Sequence, residues 1–269
     1  MAVVLQKAAG MSVAPAFAWE RTVGLAYGDD PAQVLDIYPA CGSGLHRLVI
    51  FVHGGGWVSG TRQAGRNLAG PLNRAGYTLA SLDYRLVPQT DIAGSASDIA
   101  SAVRFLLNNA KHFGFAPERF ALTGHSAGAH LVALLGTDQN YLRRAGVDVH
   151  RLAAVVALDG IYDLTVKLGV HQAAVRAAVF GGDPVLWQRY SPASHVANMQ
   201  ARPRMCLLHE DIEPRYAVQS GLFQAALRVE GLEAETAMAP GIGHGQLVGQ
   251  FDSNKPMATF MLDCLGRAF

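Results

Sequence analysis

The chain is poor in charge, in aromatic residues and in cysteine. Charged residues make up 16% of its 269 positions and aromatics 8%, against roughly 25% charge in an average globular protein. Lys plus Arg number 22 and Asp plus Glu 21, a formal net charge of +1. A balance so close to zero gives no electrostatic footprint for nucleic acid. With 50% hydrophobic residues, the chain is also not intrinsically disordered, which takes low hydrophobicity and high charge. The three cysteines, Cys41, Cys206 and Cys264, lie far apart in sequence. With no CxxC or Cys/His cluster, structural zinc and a thioredoxin-type site are disfavoured. Their sparse, odd count fits a reduced, cytoplasmic compartment. No apolar run reaches the roughly 18 residues of a membrane span. Also absent are repeats, low-complexity tracts and Pro/Ser linkers, so residues 21–269 read as one domain. Two readings stay open for residues 1–20. One is an N-terminal arm. The other is a signal remnant ending near Ala16-Phe17-Ala18, with Lys7 inside its apolar core; that alternative implies a secreted or periplasmic protein.

What is present is strand–helix alternation. Residues 47–53, 77–83, 119–124, 152–158 and 203–209 are short apolar runs bounded by Gly or Pro, the pattern of strands buried on both faces of a parallel sheet. Residues 21–27 and 33–38 read as an antiparallel entry hairpin. Residues 95–113 carry Ile99, Val103, Leu106 and Leu107 on one helical stripe, and 127–136, 216–230 and 256–267 also read as helices. The alternation predicts a doubly wound, mostly parallel α/β sheet of about eight strands. The less regular stretch of about 161–195 reads as a small lid insertion. It holds Tyr162, Phe180, Trp187 and Tyr190, whose bland role is lid core and whose functional role is shaping a pocket. Asp163 there reads as a loop stabiliser.

Gly124-His125-Ser126-Ala127-Gly128 fits G-x-S-x-G between a predicted strand and a predicted helix, the context of a nucleophile elbow. The plain alternative is a Ser N-cap flanked by turn glycines. His53-Gly54-Gly55-Gly56-Trp57 follows an earlier strand. Backbone N–H groups left free by a glycine turn, with room for a substrate to approach, are what an oxyanion hole requires. Gly54, Gly55 and Ala127 are therefore the expected oxyanion donors. His53 reads as structural. Trp57 and His125 read as residues lining the substrate pocket, with core packing as the alternative for Trp57 and local packing for His125 and His130. A serine nucleophile needs a base, and the chain order Ser, acid, His selects His244, in Gly241-Ile242-Gly243-His244-Gly245. The acid is expected just after the strand 203–209, where Glu210, Asp211 and Glu213 occur.

Taken together, HGGGW, Asp83-Tyr84-Arg85-Leu86, GHSAG, Ser191-Pro192 and GIGHG resemble the α/β-hydrolase carboxylesterases of the hormone-sensitive-lipase-like group. His before the nucleophile and Trp after the glycines are more similar to its feruloyl/acetyl esterase and kynurenine formamidase branches. The resemblance spans about residues 20–268 and implies an α/β-hydrolase fold with a small lid. It implies a serine carboxylesterase on small to medium acyl esters, with an aryl formamidase-type amide hydrolase as the alternative and a non-catalytic binding protein as a distant one. It implies a small-molecule ester substrate, no cofactor and no metal; a homodimer through an edge strand near the C-terminus stays open. There is one departure. Relatives read H-G-x-x-D and then Gln-Ser seven residues beyond the Asp, whereas here His209-Glu210-Asp211-Ile212-Glu213 leads to Gln219-Ser220 one residue short. Counting four from His209 favours Glu213 as the acid and leaves Asp211 as its rival.

Overall fold

The computed structural model describes residues 21–166, 170–251 and 256–269; the signal-remnant question lies outside them. Eight strands form one sheet: β1 Thr22–Ala26, β2 Val34–Tyr38, β3 His46–Val52, β4 Tyr77–Leu82, β5 Phe115–His125, β6 Leu152–Leu158, β7 Arg204–Glu210 and β8 Ala234–Ala239. Their spatial order is β1-β2-β4-β3-β5-β6-β7-β8. The β1–β2 hairpin is antiparallel, β2 joins β4 antiparallel, and every later pairing is parallel. The helices are α1 Arg66–Arg74, α2 Ile92–Asn108, α3 Ala127–Thr137, α4 Asn140–Arg144, α5 Val170–Phe180, α6 Pro184–Arg189, α7 Pro214–Val229 and α8 Pro256–Ala268.

Central strands are apolar throughout because both sheet faces are covered. In β3, Leu48, Ile50 and Val52 join one buried cluster while Val49 and Phe51 join the other, the two-residue alternation of a pleated strand. The first cluster includes Ile99 and Val103 of α2, Leu131 and Leu134 of α3, and Phe223 of α7. The second includes Leu68 and Leu72 of α1 with Met257 and Met261 of α8. The parallel strands therefore deliver their C-terminal ends to one edge, where β3, β5, β6, β7 and β8 run out into the loops that carry the candidate site. No described helix is long and apolar enough to cross a membrane.

The cysteines depart from expectation. Cys206 of β7 and Cys264 of α8 are both fully buried and form a disulfide, while Cys41 is free and exposed. Fifty-eight residues separate the pair; sequence distance hid a contact that sheet–helix packing creates.

Candidate active site

Ser126 stands between β5 and α3 with φ +56°, a conformation that side chains rarely adopt and that persists only where the surroundings enforce it. The flanking glycines are what permit the turn. A Cβ on Gly124 would lie 2.4 Å from the Gly128 carbonyl, and one on Gly128 would lie 2.1 Å from the Val52 carbonyl. Ser126 N–H donates to the Leu158 carbonyl of β6 at 2.8 Å, locking the elbow to the neighbouring strand.

Ser126 Oγ lies 2.9 Å from His244 Nε2, and His244 Nδ1 lies 2.9 Å from Asp159 Oδ2. Because a carboxylate accepts, Nδ1–H donates to it and Nε2 is left to accept from the serine. Two rings pack against the imidazole: Tyr216 stacks at 4.5 Å with a 5° tilt, and His125 lies at 4.6 Å, tilted by 35°. His125 Nε2–H donates to the His244 carbonyl at 2.9 Å. Burial, reinforced by the neighbouring His244, holds the His125 pKa down to about 4.

The carboxylate that meets His244 is Asp159, a correction to the expected Glu213 or Asp211. It follows β6, is fully buried and has φ +52°. Its N–H donates to the Leu208 carbonyl, and its Oδ1 accepts the Glu210 N–H, both at 2.8 Å. Burial and the nearby Glu210 raise its pKa, outweighing the bonds from His244 and the Glu210 N–H that pull it down. Neither Glu213 nor Asp211 meets His244. Glu213 pairs with Arg215 and is 41% exposed. Asp211 accepts the Gly241 N–H at 2.8 Å and so pins the loop carrying His244. Glu210 turns its carboxylate back onto the Ile212 and Glu213 N–H groups, at 2.6 and 2.7 Å. The acids around the end of β7 are engaged elsewhere, Glu210 and Glu213 locally and Asp211 at Gly241, while the end of β6, one strand from Ser126, delivers a carboxylate. Asp159 still obeys the order Ser, acid, His; an Asp-Gly closing the run 152–158 was the available signal.

In the glycine loop, His53 Nδ1–H donates to the Gly54 carbonyl at 2.7 Å, and the Gly55 carbonyl accepts the Val58 and Ser59 N–H groups. A trans peptide sets its C=O and N–H in opposite directions, so the Gly55 N–H faces away from His53. Gly54 lies against the elbow: a Cβ there would sit 2.8 Å from the His125 carbonyl and 3.0 Å from Ser126 Cβ. Ala127 opens α3, where a helix N–H has no intrahelical partner. His53 is buried and stacks on Tyr84 at 4.5 Å, the structural role expected of it.

A cavity of about 280 Å³ opens beside this loop, lined by Phe51, His53, Gly54, His125, Gly245 and Val248 among others. His125 thus lines a cavity; Trp57 is not among the residues around this one and takes the core-packing alternative. Its ring is buried edge-on against His130 and Phe180. Tyr162 is core as well, stacked on Phe223. Asp163 accepts the Thr165 N–H and hydroxyl within its own loop. Ligand-capable atoms of His125, Asp159 and His244 lie within 4.8 Å of one another, yet both Asp159 oxygens and both His244 nitrogens are already engaged in the bonds described.

A family model described as BD-FAE matches residues 35–227, a segment running from β2 to the last turn of α7. The chain belongs to the BD-FAE family. Among curated proteins it is 31% identical over 242 residues to a probable isoprenylcysteine alpha-carbonyl methylesterase of Oryza sativa subsp. japonica, covering 82% of this chain and 56% of that protein. The chain thus spans a little over half the length of such methylesterases. It is 26% identical over 250 residues to kynurenine formamidase of Danio rerio, covering 90% of this chain and 81% of that one. Among solved structures, a truncated carbohydrate esterase from gut microbiota superposes with a TM-score of 0.77 at 21% identity, covering 93% of this chain and 96% of that one. The BD-FAE chain thereby has the α/β-hydrolase fold. The BD-FAE match includes Ser126 and Asp159 and stops short of His244.

Proposed function

We propose that this protein is a serine hydrolase of carboxylic esters, with Ser126 as nucleophile, His244 as base and Asp159 as the acid that orients it. One observation carries the reading: the continuous chain of 2.9 Å contacts from Ser126 Oγ through His244 to Asp159. His244 Nε2 takes the hydroxyl proton as Ser126 Oγ attacks the ester carbonyl. The backbone N–H groups of Gly54, Gly55 and Ala127 hold the tetrahedral oxyanion, and loss of one such donor costs about 10²–10³ in turnover. The His244 imidazolium then protonates the leaving alcohol. Water, deprotonated by the same nitrogen, hydrolyses the acyl-enzyme and frees the acid. The esterase names of its relatives support an ester substrate.

Amide cleavage of the aryl formamidase type is the second reading. It is favoured by the kynurenine formamidase alignment, which covers more of both chains than the methylesterase one. The same three residues serve either reaction. The disulfide between buried Cys206 and Cys264 supports the secreted or periplasmic alternative over a cytoplasmic location, because such bonds persist in oxidising compartments.

The deciding experiment is the initial rate of p-nitrophenyl butyrate hydrolysis by wild type and Ser126→Ala in parallel, with an N-formyl arylamine as second substrate. Turnover by wild type and background rates for the variant are expected. A wild type that turns over neither substrate, and that a small fluorophosphonate does not label at Ser126, would sink the hydrolase reading.

A further inference from the structure

His130 lies one turn into α3, four residues beyond Ser126, and is fully buried. Both ring nitrogens are in use. Nδ1 accepts the Trp57 indole N–H at 3.2 Å, and Nε2–H donates to the Tyr190 carbonyl at 2.8 Å. An indole N–H can only donate and a carbonyl only accept, so these partners fix the neutral Nε2–H tautomer. Burial keeps it neutral, with the pKa held down to about 4.

Trp57 closes the glycine loop. Its φ is +64°, where a bulky aromatic stays only if its surroundings hold it. Its carbonyl accepts the Val87 N–H at 2.9 Å. Phe180, at the end of α5, packs edge-on against both rings, at 4.9 Å from Trp57 and 5.6 Å from His130. Three pieces of the molecule therefore meet at one imidazole: the loop bearing Gly54 and Gly55, the helix that begins at the nucleophile, and the segment between β6 and β7. Packing alone would not call for histidine here. A leucine would fill the space without burying polar atoms, which is costly unless they are paired. What the imidazole adds is direction.

We propose that His130 is a positioning residue for the oxyanion loop: by holding the Trp57 indole from the nucleophile's own helix, it fixes the Gly54–Gly56 backbone relative to Ser126 Oγ. The inference rests on the serine-hydrolase reading above. His130 touches no substrate; it acts through Trp57. A misplacement of about 1 Å in such a loop can cost about 10² in rate.

The test compares His130→Gln, which can still accept from the indole and donate to the carbonyl, with His130→Leu, which keeps only bulk, and Trp57→Phe, which keeps a smaller aromatic ring and loses the N–H. The readouts are kcat and KM for p-nitrophenyl butyrate well below each melting temperature, and the ¹H–¹⁵N indole resonances. In the leucine variant kcat should fall by about 10- to 100-fold with KM within about twofold, and the Trp57 resonance should shift. The glutamine variant should recover kcat to within about fivefold of wild type and keep the resonance near its place. Trp57→Phe should lose kcat as the leucine variant does, and carries the comparison if that variant does not fold. Wild-type kcat in the leucine variant and in Trp57→Phe, equal losses in the leucine and glutamine variants, or an unmoved resonance would overturn the proposal. If wild type itself is inert to substrate and to fluorophosphonate, the hydrolase reading has failed instead, and with it any oxyanion loop to position; the indole resonance then reports only whether the contact exists.

Discussion

Glu210 donates its backbone N–H to Asp159 Oδ1 at 2.8 Å, while Asp159 Oδ2 faces His244 Nδ1 at 2.9 Å. The ends of two adjacent parallel strands thus cooperate: β7 supplies a hydrogen bond to hold the carboxylate, and β6 supplies the carboxylate itself. The acids after β7 serve elsewhere: Glu213 pairs with Arg215, and Asp211 holds the loop at Gly241.

Asp159→Asn should lower kcat by about 10⁴, because an amide N–H facing His244 selects the wrong tautomer. Glu213→Gln should leave kcat within about twofold of wild type, and Asp211→Asn, which only loosens the loop at Gly241, should cost less than about tenfold. Stability should move the other way. The Asp159 pKa is raised in the folded protein, chiefly by burial. Its contribution to stability is therefore present at low pH, below the unfolded value, and is lost as pH rises through the folded one. At pH 8 the asparagine variant should melt no lower than wild type. A variant that loses stability together with activity would contradict this account of the site.

Two buried histidines make the opposite prediction for acid. His125 and His130 both have pKa values held down to about 4, in each case mainly by burial, against about 6.5 in an unfolded chain. The unfolded state binds protons first, so each contributes stability that is complete above about pH 6.5 and lost as pH falls toward 4. The slope is about 1.4 kcal/mol per pH unit per histidine. Chemical denaturation of wild type and His130→Gln between pH 4 and 7 measures it. The variant should lose about one histidine's worth of slope, and parallel curves would count against a neutral, buried ring.

Most of the scaffold could be read from the chain. The runs at 152–158 and 203–209 and the helix from 256 need only apolar continuity and period, and they fall within a few residues of β6, β7 and α8. Helix α1 was not legible, because Gly70 and Pro71 look locally like turn residues and only burial of Leu68 and Leu72 against the sheet makes them helical. At the site, Ser126 and His244 carry their own glycine context in sequence. Asp159 carries only the Gly160 that follows it: its role comes from the adjacency of β5, β6 and β7, which is a property of strand order. The same holds for Tyr216, which stacks on His244 from the first turn of α7, and for the pairing of Cys206 with Cys264.

That pairing sets a thiol count. Protein unfolded in guanidinium without reductant should titrate one thiol per chain, Cys41, and three only after reduction. Three without reduction would mean that the disulfide does not form. In the chain-entropy account, closing a loop of this length is worth about 4 kcal/mol, so Cys264→Ala should melt well below wild type. The bond ties mid-strand β7 to α8, away from the loops carrying Ser126 and His244. At temperatures where both forms are folded, kcat should therefore stay within about twofold.

Tyr216 gives the most direct test of how His244 is held. Its ring lies 4.5 Å from the imidazole and within 5° of parallel, leaving the face of the π-system toward the nitrogen pair that becomes positively charged when Ser126 gives up its proton. A cation over an aromatic face gains about 0.5–2 kcal/mol, and that gain appears only once the imidazolium forms. Tyr216→Phe keeps the face and loses only the hydroxyl, which accepts from Arg215, so its kcat should remain within about twofold of wild type. Tyr216→Ala removes the face and leaves His125 as the remaining ring against His244; kcat should fall by about 2- to 30-fold, with a smaller effect on KM. Equal kinetics for the phenylalanine and alanine variants would mean that the stack is packing alone, and that the hydrogen bond to Asp159 suffices to aim the base.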